Sequence, residues 1–130
     1  MNPRNGGRPV FDASAVLALM QGEPGADKLK HLQQFAVVNA VNVAEVLAKL
    51  VSRGVPAAEA QAAYDALHLE TTAFDPALAA ISARHVSKGV SLGDRCFLAA
   101  AHRNGSGWTS DRDLGKLCGS RVPALNFFRR

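Results

Sequence analysis

A chain of 130 residues, 48% apolar and 20% charged, has the size and mixture of one globular domain and not of a disordered tail or a fibrous repeat. No stretch approaches the ~20 consecutive apolar residues that span a bilayer, so no membrane association is expected. The net charge of +4 is lopsided: residues 1–83 hold six Lys/Arg against eight Asp/Glu, and residues 84–130 hold nine against three. A basic half beside an acidic cluster suits a polyanionic partner that must meet a cation, although an excess of this size also serves solubility.

The polar, Gly-rich residues 1–8 read as a flexible arm ahead of a single domain over 9–130, with no signal-peptide pattern behind them, so the cytoplasm is the expected location. Pro9-Val10-Phe11 reads as a short buried strand that ends at Asp12 and turns directly into the apolar helix Ala13–Met20. Gly22-Glu23-Pro24-Gly25 is a turn, and Ala26–Gln34 has helical character. Residues 35–40 are rich in β-branched and aromatic side chains, which predicts a second strand. Asn42 is the expected opening of a helix on which Val43, Val46, Leu47, Leu50 and Val51 recur at helical spacing, closed by Gly54. Pro56 starts a further helix to about His68. Residues 69–74 predict a third strand, and Asp75-Pro76 opens a helix to about Ser87. Ser91 opens the apolar helix Leu92–Arg103, with 104–107 as a loop. Trp108-Thr109-Ser110 reads as a strand leading to Asp111 and a brief helix to about Cys118. Residues 122–126 fit an edge strand, where Pro123 is tolerated. Strands alternating with helices imply an α/β fold with a mostly parallel sheet covered on both faces. Cys96 and Cys118 have neither a disulfide framework nor a metal-ligand spacing, and Cys96 reads as core.

Each acid near a strand end has a local explanation. Asp12 and Asp111 suit the caps of the helices that follow them. Asn42 with Glu45, and Ser91 with Asp94, have the spacing of capping boxes, and Glu45 stands four residues before Lys49, a helical ion-pair spacing. The joint pattern says more. Helices that follow parallel strands begin at the carboxyl edge of the sheet, so topology brings Asp12, Glu45 and Asp111 to one edge, and Asp94 joins them if its helix packs as a crossover. Carboxylates that share a neighbourhood repel unless a cation sits among them. A hard cation such as Mg²⁺ suits such a set and activates water for phosphodiester hydrolysis. Helix amino ends oppose a cation, so several acids are needed to outweigh them.

Val10-Phe11-Asp12-Ala13-Ser14-Ala15, Asn42-Val43-Ala44-Glu45-Val46, Ser91-Leu92-Gly93-Asp94-Arg95-Cys96-Phe97 and Trp108-Thr109-Ser110-Asp111-Arg112-Asp113-Leu114 resemble the four acidic motifs of PIN-domain ribonucleases, and within them the VapC-type toxins of bacterial toxin–antitoxin pairs. The resemblance runs from Val10 to about Phe127, with the third motif the most specific. It implies a three-layer α/β/α fold, Mg²⁺- or Mn²⁺-dependent endonucleolytic cleavage of RNA (often tRNA or ribosomal RNA), a homodimer, and a small antitoxin that blocks the site. It carries catalytic roles onto Asp12, Glu45, Asp94 and Asp111, with Asp113 the other candidate for the fourth acid. Asp12, Asp94 and Asp111 are then the expected metal ligands, and Glu45 the group that orients or deprotonates water. Ser14 and Thr109 match positions that brace the acids. Arg95 and Arg112, beside two motifs, are candidate RNA contacts, and the sequence leaves open whether the basic Arg129-Arg130 contacts RNA or merely ends the chain. The first helix, with Val16, Leu17, Leu19 and Met20, reads as mostly core, and any surplus apolar surface there would suit an antitoxin helix.

Two other readings compete. A PIN-like scaffold could bind RNA or protein without cutting, but such a scaffold has no reason to keep mutually repelling acids. A phosphatase would want a second acid two residues past Asp12, where Ser14 stands. A receiver domain could use Asp75 but would want a lysine after its last strand, and none is there.

Overall fold

The computed structural model of the protein describes residues 7–118 and 124–129. Its strands are β1 (Pro9–Phe11), β2 (Val37–Asn39), β3 (Glu70–Thr72), β4 (Ser106–Thr109) and β5 (Leu125–Phe127). They form one sheet in the order β3-β2-β1-β4-β5, with every neighbouring pair parallel. The expected mostly parallel sheet is thus parallel throughout the described residues. The helices are α1 (Ala13–Gln21), α2 (Ala26–Lys30), α3 (Ala40–Ser52), α4 (Ala57–Asp65), α5 (Pro76–Ser82), α6 (Leu92–Asn104) and α7 (Arg112–Cys118). None is long and apolar enough to cross a membrane.

Alternation along the central strands builds the three layers. Phe11 and Val38 belong to a core with α1, α3 and α4, including Val16, Val46, Leu50 and Tyr64. Their neighbours Val10 and Val37 belong to a second core with Phe97, Leu98 and Ala101 of α6 and Leu114 of α7. Cys96 is buried and free, as expected of a core residue. α1 turns its apolar face inward: Val16, Leu17 and Leu19 are buried, and the exposed large hydrophobics among the described residues are Val51, Val86, Leu92 and Leu117. α1 is thus mostly core, as expected, with Met20 half-buried and none of its residues among those exposed large hydrophobics.

Several element boundaries differ from the sequence expectations. β2 runs into α3 without a loop, and Asn39 is the cap, its side chain accepting from Val41 N and Asn42 N. Asn42 is consequently inside the first turn, and the Asn42–Glu45 capping box does not form. Ala26–Gln34 is broken into α2 and a 3₁₀ turn at Gln33–Phe35. The helix after Asp75 stops at Ser82 and tightens into a 3₁₀ turn at Ala83–His85. The expected loop at 104–107 is shorter: Gly105, at φ 97°, ends α6 in the left-handed conformation that lacks a Cβ penalty, and Ser106 already belongs to β4. Residues 1–6 of the expected arm, and Val122 and Pro123 of the expected edge strand, lie outside the described residues. Arg8 is tied down, donating from Nε to the Phe35 carbonyl at 2.9 Å and pairing with Glu70 at 2.9 Å.

Candidate active site

Beyond the carboxyl edge of the sheet lies a cleft of about 740 Å³ lined by Asp12, Glu45, Asp94 and Asp111 together with Ser14 and Asn42. The four acids arrive from four places in the chain. Asp12 follows β1, its amide still donating to the Trp108 carbonyl of β4 at 3.2 Å. It caps α1, with Oδ1 accepting from Ala15 N at 2.9 Å and from the Ser14 hydroxyl at 2.6 Å. Ser14 Oγ in turn accepts from Ser110 N at 3.0 Å, so one hydroxyl ties the β1–α1 turn to the β4–α7 turn. Thr109, fully buried, accepts from Asp111 N at 3.0 Å. Both expected bracing residues therefore touch the loops that carry the acids.

Burial pushes the Asp12 carboxyl up to about 6, helped by the negative charge of Asp94 and opposed by hydrogen bonds from Ser14, Thr109 and the Ala15 amide. The physical cause is desolvation, which penalises the charged form more than three hydrogen bonds repay.

Asp94 and Asp111 retain the local roles legible from spacing. Asp94 Oδ2 accepts from Ser91 N at 3.0 Å and Ser91 Oγ accepts from Asp94 N at 3.1 Å, a complete capping box on α6. Asp111 Oδ1 accepts from Asp113 N at 3.0 Å and Leu114 N at 3.2 Å. Glu45 takes a different arrangement. It makes no ion pair with Lys49; its Oε1 accepts from Asn42 Nδ2 at 2.6 Å. Asn42 Nδ2 also donates to the Gly93 carbonyl at 3.2 Å, and Asn39 Nδ2 donates to Asn42 Oδ1 at 2.5 Å. A buried amide relay thus runs from the end of β2 to Glu45 and across to α6. Gly93 lets this happen: a Cβ there would fall inside the Glu45 carboxylate.

The remaining sequence candidates lie elsewhere. Asp113 is exposed beside Lys116 at 3.7 Å and is not on the cleft wall. Arg95 donates to the Val90 carbonyl at 3.3 Å, and Arg112 donates to the Arg129 carbonyl at 3.1 Å while lying over the Phe127 ring. Neither lines the cleft; its basic residues are Lys49, Arg53 and Arg129. Asn39, Asn42 as a positioning amide, Gly93, and Lys49 and Arg53 as cleft cations were not singled out from sequence, which left the role of Arg129 open. Asn42 stands three residues before Glu45, and Gly93 immediately before Asp94, which are the only local signals of their roles.

As a donor set the cleft fits a hard divalent cation. Its ligating atoms are carboxylate oxygens, which select Mg²⁺ or Mn²⁺ over softer metals, and a buried carboxyl with a raised pKa gains from a nearby positive charge. Among the described residues no three acids, histidines or cysteines stand close enough together to hold a metal ion as they lie. The reason is visible in the hydrogen bonds: Asp12, Asp94 and Asp111 each turn toward amides of their own helix amino end, which offsets their mutual repulsion.

The parallel sheet, its helical cladding and an acid-lined cleft at the strand ends define an α/β/α domain of carboxylate-cleft type. The PIN domain family profile matches residues 10–119, and the chain belongs to that family. Solved structures agree on the fold. VapBC2 from Rickettsia felis, solved bound to a DNA fragment from their promoter, is similar over 92% of this chain and 97% of that one, with TM-score 0.68 and 14% identity. PAE2754 from Pyrobaculum aerophilum matches over 92% of this chain and 83% of that one, with TM-score 0.61 and 19% identity. VapBC-5 from Mycobacterium tuberculosis, a member of the VapBC family of toxin-antitoxin systems, matches over 95% and 99%, with TM-score 0.60 and 21% identity. Among curated proteins none matches the chain.

Proposed function

We propose that this PIN domain is a metal-dependent endoribonuclease, the toxin of a toxin–antitoxin pair, working in the cytoplasm on RNA and as a homodimer. The observation that carries the reading is the convergence of Asp12, Glu45, Asp94 and Asp111 from four separate elements onto one cleft of the PIN fold. The VapBC neighbours support an antitoxin partner, and a structured RNA such as tRNA or ribosomal RNA is the substrate class that goes with it.

Asp12, Asp94 and Asp111 would hold Mg²⁺ or Mn²⁺. The cleft position of Asp111 supports it over Asp113 as the fourth acid. The ion would supply a more acidic bound water and charge stabilisation at the phosphoryl oxygens. The chain's own residues do the rest. Asn42 aims the Glu45 carboxylate, leaving Oε2 to orient a water or take its proton. Ser14 and Thr109 hold the loops of Asp12 and Asp111 in register across β1 and β4. Asp12 must be ionised to serve, and its raised pKa means that cation binding releases a proton at mildly acid pH.

The test is RNA cleavage by the purified chain with Mg²⁺ or Mn²⁺, beside Asp94→Asn and an EDTA control. Cleavage lost in both controls supports the reading. Cleavage that survives Asp94→Asn overturns the site. No cleavage and no metal binding by calorimetry leaves a non-catalytic PIN scaffold.

A further inference from the structure

An acid-lined cleft repels the phosphates it is proposed to cut, so a substrate needs cations beside the acids. The cations expected from sequence, Arg95 and Arg112, each donate to a backbone carbonyl and do not line the cleft. Three others lie on it. Lys49 on α3 and Arg53, the residue that caps its carboxyl end, follow Glu45 at successive four-residue steps, and all three line the cleft. No acid pairs with Lys49 among the described residues. Arg129 reaches the same cleft from the end of the chain, and its place is fixed: the preceding Phe128 is buried, and its carbonyl packs where a Cβ on Gly25 would stand.

Arg129 and Arg53 are joined by a polar bridge. Arg129 Nη2 pairs with Glu23 Oε1 at 3.0 Å. With its amide turned so that oxygen and nitrogen both find partners, Gln21 donates to Glu23 Oε2 at 2.9 Å and accepts from Arg53 Nη1 at 3.1 Å. Yet Arg129 Nε is buried without a hydrogen-bond partner among the described residues. Glu23 therefore engages one side of a guanidinium fork that a phosphate engages with two oxygens. Resting on the nuclease reading above, we infer that Lys49, Arg53 and Arg129 form the track for the RNA phosphates, and that Glu23 is a resident anion which the substrate displaces from Arg129.

The inference makes a loss and a gain prediction. Affinity for a short labelled single-stranded RNA of mixed sequence is measured by fluorescence anisotropy across a salt series, in the full chain carrying Asp94→Asn to block cleavage. Arg129→Gln should weaken binding about tenfold, Arg53→Gln and Lys49→Gln several-fold, each lowering the salt slope by about 0.7. Arg129→Lys should keep the slope while losing part of the affinity, and it carries the test if Arg129→Gln fails to fold by circular dichroism. Glu23→Gln should tighten binding several-fold. Asp27→Asn, the same charge change on exposed α2, should tighten it less, and Arg95→Gln should leave it unchanged. Equal affinities and slopes for the parent and the three cleft variants overturn the track while leaving the nuclease reading intact. Equal tightening by Glu23→Gln and Asp27→Asn overturns the displacement by Glu23. A parent that binds no RNA at low salt overturns the nuclease reading itself, and the track with it.

Discussion

Asn42 Nδ2 stands 2.6 Å from Glu45 Oε1, three residues along the same helix, and this contact sets where the Glu45 carboxylate lies. The same amide nitrogen reaches the Gly93 carbonyl, and Asn42 itself is almost wholly buried. Replacing it with Ala leaves Asn39 without its side-chain partner. Asn42→Ala should therefore cost roughly 1–3 kcal/mol of stability, read by urea melts, and lower RNA cleavage well beyond the loss of folded protein. A cleavage rate that merely follows the folded fraction would show that the contact is structural only.

Gly93→Ala separates the two effects more cleanly. Ala suits a helix better than Gly by up to about 1 kcal/mol. The added Cβ meets only the far end of the Glu45 side chain, which can swing away. Thermal stability should be unchanged or slightly higher, while cleavage falls because Glu45 leaves its position. Wild-type cleavage in Gly93→Ala would show that Glu45 need not sit where Asn42 aims it.

The positions of Asp12 and Asp111 were legible in the sequence because each stands where an apolar strand pattern gives way directly to a helix. Asp94 was legible through its Ser91 spacing, and its capping box is present in the structure. The start of α3 was misread for a physical reason: β2 passes into the helix with no loop, so apolar periodicity continues through the junction and Asn39 and Asn42 both look like caps. The basic rim was legible only as an open question at Arg129-Arg130. Arg112 adjoins Asp111 in sequence, but as the first residue of α7 it turns toward the chain end. Arg129, eighteen residues after Asp111, reaches the cleft because parallel pairing of β5 with β4 carries it there. Such a placement depends on tertiary register, which no local pattern encodes.

Asp12→Asn tests the cost of keeping a buried carboxylate. The folded pKa of about 6 exceeds the ordinary aspartate value of 3.8, so the folded state binds more protons than the unfolded state between them. Stability of the metal-free protein should therefore fall as pH rises through that window and stay lower above it. Asn is uncharged throughout and still accepts from Ala15 N and the Ser14 hydroxyl through its Oδ1. Metal-free Asp12→Asn should be more stable than the wild type above about pH 6, by up to about 3 kcal/mol, with the advantage gone below about pH 4. Mn²⁺ should then raise the melting temperature of the wild type but not of the variant. A variant less stable than the wild type at every pH would show that Asp12 contributes more to the fold than its ionisation costs.

Asp75 shows the opposite sign on the far side of the molecule. Arg103 Nη1 and Nη2 donate to its two carboxylate oxygens at 2.9 and 3.0 Å, joining the start of α5 to the end of α6, and Leu78 N donates to it at 2.8 Å as a cap. Arg103 is the main reason that the Asp75 carboxyl is held down at about 2, with the Leu78 amide helping. A depressed carboxyl stabilises the fold above the unfolded pKa, and that contribution is lost as pH falls toward the folded value. Asp75→Asn keeps the cap but loses the charge. The stability difference between wild type and Asp75→Asn should be constant above about pH 4 and should shrink toward zero near pH 2, as read by urea melts at each pH. Because the pair is solvent-exposed, added salt should narrow the difference at every pH above that window. A difference that is flat from about pH 5 to 2 would mean that the ion pair adds nothing to the cap.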